Sequence, residues 1–151
     1  MNILFVCTGN TCRSVLAHYY AAKLAADEKL PLKFASAGLA AHKDIPQPAI
    51  VAALLAKEGV QELNHLPVEM TEILAENSDL LLTMTSAQKD RLTALYPSAA
   101  QKTALLTQYA GFGGGDIADP YGRDDLFYAE IFQTIKTAVK ASIEKLKKEV
   151  K

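Results

Sequence analysis

The sequence predicts an α/β fold in which a parallel sheet is covered by helices on both faces. Short, mainly apolar runs alternate with longer amphipathic stretches. Such runs are typical of strands that are buried on both faces, and parallel strands need helical crossovers between them. The 151 residues have room for one domain with a sizeable core, so we expect a single domain over residues 1–151.

The first half of the chain divides into two strands and three helices. The apolar run at residues 3–6 predicts a buried strand, and residues 32–37 predict a second strand. Between them, residues 13–26 carry apolar side chains at helical spacing, which predicts the first long helix. An Ala- and Leu-rich stretch predicts a second helix that ends near Gly59, and residues 67–76 predict a short third helix with the proline in its first turn.

The second half of the chain adds two strands and two helices. Residues 79–83 and residues 103–106 predict the strands. Ser86 has the residue type of a helix cap, which predicts a helix from there to Pro97. A glycine-rich loop then precedes a last helix over residues 125–148, and its predicted apolar face consists of Leu126, Ile131, Ile135, Val139, Ile143 and Leu146.

Composition and cysteine usage exclude several functional classes. A formal net charge of −1 argues against broad attraction to nucleic acid or an anionic membrane. The apolar runs are too short to span a bilayer and no secretory signal is apparent, so a cytoplasmic location is expected. Cys7 and Cys12 lie in one short loop, which fits neither a disulfide framework nor a zinc site and leaves a reactive thiol with a second thiol nearby.

The loop after the first strand has the features of a phosphate site. Cys7 follows the strand directly, and the next helix begins around Arg13, so loop amides and the helix dipole can meet an anion there. Arg13 supplies a planar fork for two phosphate oxygens, and the same positive environment favours the Cys7 thiolate. The candidate phosphate-binding residues are Thr8, Gly9, Asn10, Thr11, Cys12 and Ser14.

Taken singly, each residue of this loop also has an ordinary interpretation. A cysteine at a strand end is usually a small buried apolar residue, and Arg13 alone would be a solvated helix residue. A nucleotide loop would need the dinucleotide pattern or a Gly-Lys-Ser/Thr pattern, and the sequence has neither. The combination of cysteine, five residues, arginine and serine at a strand-to-helix turn favours the phosphate site.

A second signal is the Asp119-Pro120 pair on the glycine-rich loop. A phosphoryl leaving group departs more easily when it receives a proton, and a carboxylic acid on a loop is a suitable donor. Asp116, Asp124 and Asp125 keep two alternatives open, a solvated loop with a helix cap and a cluster of aspartates around a metal ion. Their spacing fits no calcium loop.

The chain resembles the low-molecular-weight protein-tyrosine phosphatase family over almost its whole length. The resemblance rests on a Cys-x5-Arg-Ser loop near the N-terminus and a late Asp-Pro, and on matching positions at residues 5–14, 36–38, 65, 82–84 and 119–122. It implies a four-stranded parallel sheet flanked by helices. It also implies that Cys7 is the nucleophile, Arg13 the phosphate clamp and Asp119 the general acid.

The resemblance further implies a hydrogen-bond network that holds the loop. Its members would be Asn10, Ser14, Ser36 and His65, which support the loop and do not react. The chain departs from the commoner family pattern at Val15, where a proline is usual, and in the segment after His65, which lacks the usual arginine.

The residues of the pocket wall bear on the substrate. Tyrosine-directed members usually carry an aliphatic residue where this chain has Thr11, and many have two aromatics where it has Tyr121 and Gly122. A guanidinium needs hydrogen-bond acceptors, and both Thr11 and Asp119 can accept. The loop matches that of the bacterial protein-arginine phosphatase branch, so phosphoarginine is favoured over phosphotyrosine.

Two other functions are weaker alternatives. Thioredoxin-linked arsenate reductases need further cysteines, and no cysteine follows Cys12. A phosphocarrier would have no use for Arg13 and Asp119 in hydrolysis. The expected enzyme hydrolyses a phosphorylated protein through a phosphocysteine, releases inorganic phosphate, and requires no metal or organic cofactor and no nucleic-acid or membrane partner.

Overall fold

The computed structural model describes residues 1–150 and has one four-stranded sheet, in which every pair of neighbours is parallel. The strands are β1 (Asn2–Cys7), β2 (Lys33–Gly38), β3 (Leu80–Thr83) and β4 (Thr103–Leu105). They stand in the order β2-β1-β3-β4, so β1 is internal and its carboxyl end lies between those of two neighbours. The predicted α/β fold with four parallel strands is confirmed.

Helices cover both faces of this sheet. Along β1, Ile3 and Phe5 belong to one buried cluster, while the alternating Leu4 and Val6 belong to another, as the two-residue period of a strand requires. The helices are α1 (Arg13–Asp27), α2 (Ala49–Lys57), α3 (Glu72–Asn77), α4 (Ser86–Leu95), α5 (Leu106–Tyr109) and α6 (Asp125–Glu149), with a 3₁₀ turn at Pro97–Lys102. None of the helices within residues 1–150 combines the length and apolar character needed to cross a membrane.

The predicted helix at residues 67–76 is wrong in its first half. The segment around Pro67 is extended, because Val68 and Met70 exchange backbone hydrogen bonds with Gly38 at the end of β2 (2.8 and 2.9 Å). Those bonds use backbone groups that a helix would need. The helix α3 begins only at Glu72, where the Thr71 side chain caps it.

The fourth strand ends at Leu105, because Leu106 begins α5, a short helix that was not predicted. Two of the predicted helices also differ in detail. The helix α4 is capped by Thr85, not Ser86, through a capping box in which Thr85 and Gln88 exchange side-chain and backbone hydrogen bonds. On α6, Leu126 is 66% exposed and lies off the apolar face, which begins with the buried Tyr128. Tyr128 precedes Ile131 by three residues, the spacing that keeps both on one helical face.

The loop between β1 and α1 rests on the end of β2. The backbone amides of Leu39 and Ala40 donate to the carbonyls of Cys7 and Thr8, each at 2.9 Å. A side chain at Gly38 would enter this contact, since a Cβ there would lie 2.6 Å from the Thr8 carbonyl oxygen and 3.0 Å from the Asn10 nitrogen. Glycine at this position therefore lets two backbones approach closely.

We expect Gly38→Ala to destabilise the fold by about 1–3 kcal/mol, since the added methyl must push backbone aside. Gly9→Ala is the matched control, because its Cβ would come no nearer than 3.7 Å to the Thr11 hydroxyl oxygen. Urea unfolding measures both free energies. Equal midpoints for G38A and the unmodified protein would show that the loop does not rest on β2 in this way.

Candidate active site

The thiol of Cys7 lies at the floor of a cleft, at the carboxyl end of β1. The residue is 3% exposed. Its Sγ is 2.9 Å from the Ser14 hydroxyl oxygen, and the Asn10 backbone amide donates to it at 3.3 Å. No side chain caps α1, which begins at Arg13, and its first turn has no acidic residue. The helix end is thus open to an anion, as the sequence predicts.

The turn of the loop is made at Asn10. Its φ is 55°, in the left-handed region, whereas Gly9 is not left-handed. The Asn10 side chain then reaches three partners: its Oδ1 accepts from His65 Nε2 (3.0 Å) and from the Val68 amide (2.9 Å), and its Nδ2 donates to the Ser14 hydroxyl (2.8 Å). This brings together three of the four predicted supporting residues.

The polarity of this network follows from the donors and acceptors in it. The Asn10 Nδ2 can only donate, so the Ser14 hydroxyl accepts there and its own hydrogen is free for Cys7. The Asn10 Oδ1 can only accept, so His65 carries its hydrogen on Nε2. In a neutral His65 ring, Nδ1 then accepts from the Tyr19 hydroxyl at 3.1 Å. The chain of hydrogen bonds thus runs from Tyr19 through His65, Asn10 and Ser14 to Cys7, where the Ser14 hydroxyl and the Asn10 backbone amide both donate to the sulfur.

The fourth predicted member, Ser36, does not join this network directly. Its buried hydroxyl is 2.9 Å from His18 Nδ1 and has no hydrogen bond to Asn10, Ser14 or His65 within residues 1–150. His18 could not be identified from the sequence, since a histidine within an amphipathic helix gives no signal of its own. Burial, and then the neighbouring His65, lower the pKa of His18 from 6.5 to about 4. Burial likewise lowers the pKa of His65.

Arg13 lines the same cleft as Cys7 and is held by the loop that carries Asp119. The side chain is buried, and its guanidinium donates to the Ile117 carbonyl at 2.8 Å. Ile117 is itself buried and its amide donates to the Met84 carbonyl at 2.9 Å. The second guanidinium nitrogen is 3.8 Å from a carboxylate oxygen of Asp119. The loop that carries Asp119 is thereby docked onto the site through backbone groups.

The other aspartates of this loop have structural roles. Asp116 accepts from the Ser86 amide (2.8 Å), and Asp124 caps α6 by accepting from the Phe127 amide (2.9 Å). The side chain of Asp119 remains 58% exposed and faces the cleft. Residues 1–150 contain no group of acidic, histidine or cysteine side chains arranged to hold a metal ion. Of these aspartates, only Asp124 caps a helix.

The cleft has a volume of about 380 Å³. Thr11, Asp119 and Tyr121 line it together with the loop. Ile45 and Pro46 line it too, although no sequence pattern pointed to them. A proline in a loop predicts a turn but not which cavity the turn faces, so sequence patterns could not identify this wall.

Two buried contacts hold the loop from outside the cleft. Gln88 donates to the Thr8 hydroxyl at 3.0 Å, while its other amide atom completes the cap of α4. The Cys12 thiol is 3.6 Å from the Tyr128 hydroxyl. Burial raises the pKa of Cys12 and that of Tyr128, so Cys12 remains a neutral thiol beside Cys7.

Comparisons with known proteins agree with this geometry. The family described as low molecular weight phosphotyrosine protein phosphatase matches residues 2–151. A protein-arginine-phosphatase of Bacillus subtilis is 33% identical over 150 residues, 99% of each chain. A putative low molecular weight protein-tyrosine-phosphatase of Klebsiella pneumoniae is 32% identical over 146 residues, 96% of each chain.

A solved structure of a related phosphatase has the same fold. The YwlE arginine phosphatase, as a cysteine-to-serine mutant with a phosphorylated active-site serine, superposes with a TM-score of 0.93 at 30% identity. The superposition covers 98% of this chain and 97% of that one.

We expect stability to fall as pH drops from about 6.5 toward about 4, in part through His18. Unfolded His18 takes up a proton near 6.5 and folded His18 only near 4, so the unfolded state binds more protons in this range. His18→Gln keeps a partner for Ser36 and should reduce the slope of the unfolding free energy by up to about 1.4 kcal/mol per pH unit. Urea unfolding at several pH values measures this slope, and an unchanged slope would contradict the assignment.

Proposed function

Because the chain belongs to the low molecular weight phosphotyrosine protein phosphatase family, we propose that it hydrolyses phosphoarginine in proteins through a phosphocysteine at Cys7. The family assignment makes it a cysteine-based phosphatase that acts on phosphorylated protein. The choice of phosphoarginine rests on one observation: Thr11 and Asp119 both line the cleft above Cys7. Two hydrogen-bond acceptors there suit a guanidinium, which has donors only.

In the first step the Cys7 thiolate attacks phosphorus while Arg13 and the loop amides bind the other phosphoryl oxygens. The sulfur–phosphorus bond forms as the phosphorus–nitrogen bond breaks. Asp119 gives its proton to the departing guanidino nitrogen, which leaves as an unmodified arginine side chain. The position of Asp119, 3.8 Å from the Arg13 guanidinium, supports this role because Arg13 is the phosphate clamp.

In the second step a water molecule hydrolyses the phosphocysteine. The Asp119 carboxylate takes a proton from the water, the water oxygen attacks phosphorus, and the sulfur–phosphorus bond breaks to release inorganic phosphate. The Ser14 hydroxyl, 2.9 Å from Sγ, stabilises the thiolate that leaves. The residues in these steps supply the nucleophile, the clamp and the acid without a metal or organic cofactor.

The walls of the cleft suit the rest of an arginine side chain. Ile45, Pro46 and Tyr121 present apolar surface near its mouth, where the methylene groups of arginine would lie. Phosphotyrosine is the second candidate, favoured by the half-exposed aromatic ring of Tyr121 and by relatives named as tyrosine phosphatases. An aryl ring gains apolar contact at these walls but makes no hydrogen bond to the Thr11 hydroxyl.

We expect Asp119→Asn to lower kcat by roughly two to four orders of magnitude, the usual scale for a general acid. The loss should be greatest for aryl phosphates with poor leaving groups, since these depend most on protonation. A series of substituted phenyl phosphates measures the dependence for both proteins. Equal losses for good and poor leaving groups would remove Asp119 from the role of acid.

The substrate assignment is tested at Thr11. We expect Thr11→Ile to lower kcat/KM for phosphoarginine peptides about 100-fold, because a charged donor loses its acceptor. The added apolar surface is worth ~1 kcal/mol, so phosphotyrosine peptides should be hydrolysed a few times faster. Thr11→Val is the control of nearly equal volume, and it should show the first effect and little of the second.

Inhibition by inorganic phosphate should hardly change in either Thr11 variant, since the hydroxyl is assigned to the leaving group. If both variants slow phosphoarginine and phosphotyrosine peptides alike, Thr11 serves only the packing of the loop. Phosphotyrosine then becomes the better assignment.

A further inference from the structure

A second cleft of about 490 Å³ adjoins the one above Cys7. The two clefts share the side chains of Pro46 and Tyr121, so one leads into the other across a common wall. The second cleft lies between the start of α2, at Ala49 and Ile50, and the segment before α6 that includes Arg123. None of the steps of phosphoryl transfer uses these residues.

The lining of the second cleft suits an extended polypeptide. Pro46, Ile50 and Tyr121 supply apolar surface. The charges that line it, Arg123 and Asp125, are opposite, so it does not select a strongly charged ligand. The Arg123 guanidinium is also held 4.0 Å above the Phe127 ring.

Hydrogen-bond donors complete this lining. Among the helices of eight or more residues, side chains cap α4 and α6, whereas α1 and α2 have no such cap. The open end of α1 belongs to the phosphate site. The open end of α2, at Ala49 and Ile50, forms part of the second cleft, where its amides can donate to carbonyl groups of a bound peptide.

A protein substrate has residues on both sides of the phosphorylated one, and these must also lie against the enzyme. A phosphatase of this family receives a side chain of a protein, so the polypeptide on either side of that residue must cross the mouth of the active cleft. The mouth is bounded by Pro46 and Tyr121, which also bound the second cleft. We infer that the second cleft binds the substrate polypeptide adjacent to the phosphorylated residue. This inference rests on the proposed catalytic role of the Cys7 cleft, but not on which residue is phosphorylated.

The test compares substrates that differ in length alone. One is a phosphorylated residue with both termini blocked, and the other is a nonapeptide with that residue at its centre. For the unmodified protein we expect a higher kcat/KM for the nonapeptide. Ala49→Trp fills the second cleft from an exposed position and should lower the ratio of the two kcat/KM values roughly tenfold, mainly through KM.

Thr134→Trp is the matched control, since it adds the same bulk at an exposed residue of α6 that lines an unrelated cleft. It should keep the ratio of the unmodified protein. Turnover of p-nitrophenyl phosphate, which does not reach the second cleft, confirms that each variant is folded. An unmodified protein that does not prefer the nonapeptide, or an A49W variant with an unchanged ratio, would overturn the inference.

Both substrates are prepared with phosphoarginine and with phosphotyrosine. If only the phosphotyrosine series is hydrolysed and it shows the length dependence, the phosphoarginine assignment is wrong, but the second cleft still binds the substrate polypeptide. If phosphoarginine is hydrolysed with no length dependence, the second cleft does not bind the substrate polypeptide, but the phosphoarginine assignment is retained.

Discussion

The conformation of the active-site loop depends on the hydrogen bonds of the Asn10 side chain. One amide group ties the phosphate loop to Ser14 in α1, to His65 and to the backbone of Val68. The left-handed φ of the same residue turns the loop, so conformation and anchorage are set at one position. Because Ser14 accepts from Asn10 and donates to Cys7, the side chain that shapes the loop also orients the hydrogen bond to the proposed nucleophile.

The sequence predicts the parts of the site that are local in the chain. Residues 2–27 contain a buried strand, a loop with cysteine and arginine, and a helix start, and this order alone predicts an anion site at Cys7. The anchors could not be found this way. His65 and Val68 are more than 50 residues from Asn10, and their segment is extended because Gly38 binds it, although its proline favours a helix start. The pairing of Ser36 with His18 could not be predicted either, because it depends on how α1 packs against β2.

The loop with Asp119 could also be predicted only in part. Asp-Pro predicts an acid on a loop, but not how the loop reaches Arg13. Ile117 supplies that link, since its buried side chain and its two backbone hydrogen bonds hold the loop against Met84 and Arg13. An isoleucine within a glycine-rich loop gives no signal in the sequence, yet here it holds the loop of Asp119, the proposed acid, while the Asp119 carboxylate stays exposed to the cleft.

Donors and acceptors are separated along the cleft, and this separation bears on substrate choice. The floor presents donors, namely the Asn10 amide and the Arg13 guanidinium, to a phosphoryl group. Above them Thr11 and Asp119 present acceptors, and Ile45, Pro46 and Tyr121 form an apolar mouth. Phosphoarginine has the same sequence of properties along its length: anionic, then donating, then apolar. Phosphotyrosine matches the first and the last but offers no donor to the acceptors in the middle, and hydrogen bonds to a substrate discriminate more strongly than apolar contacts do.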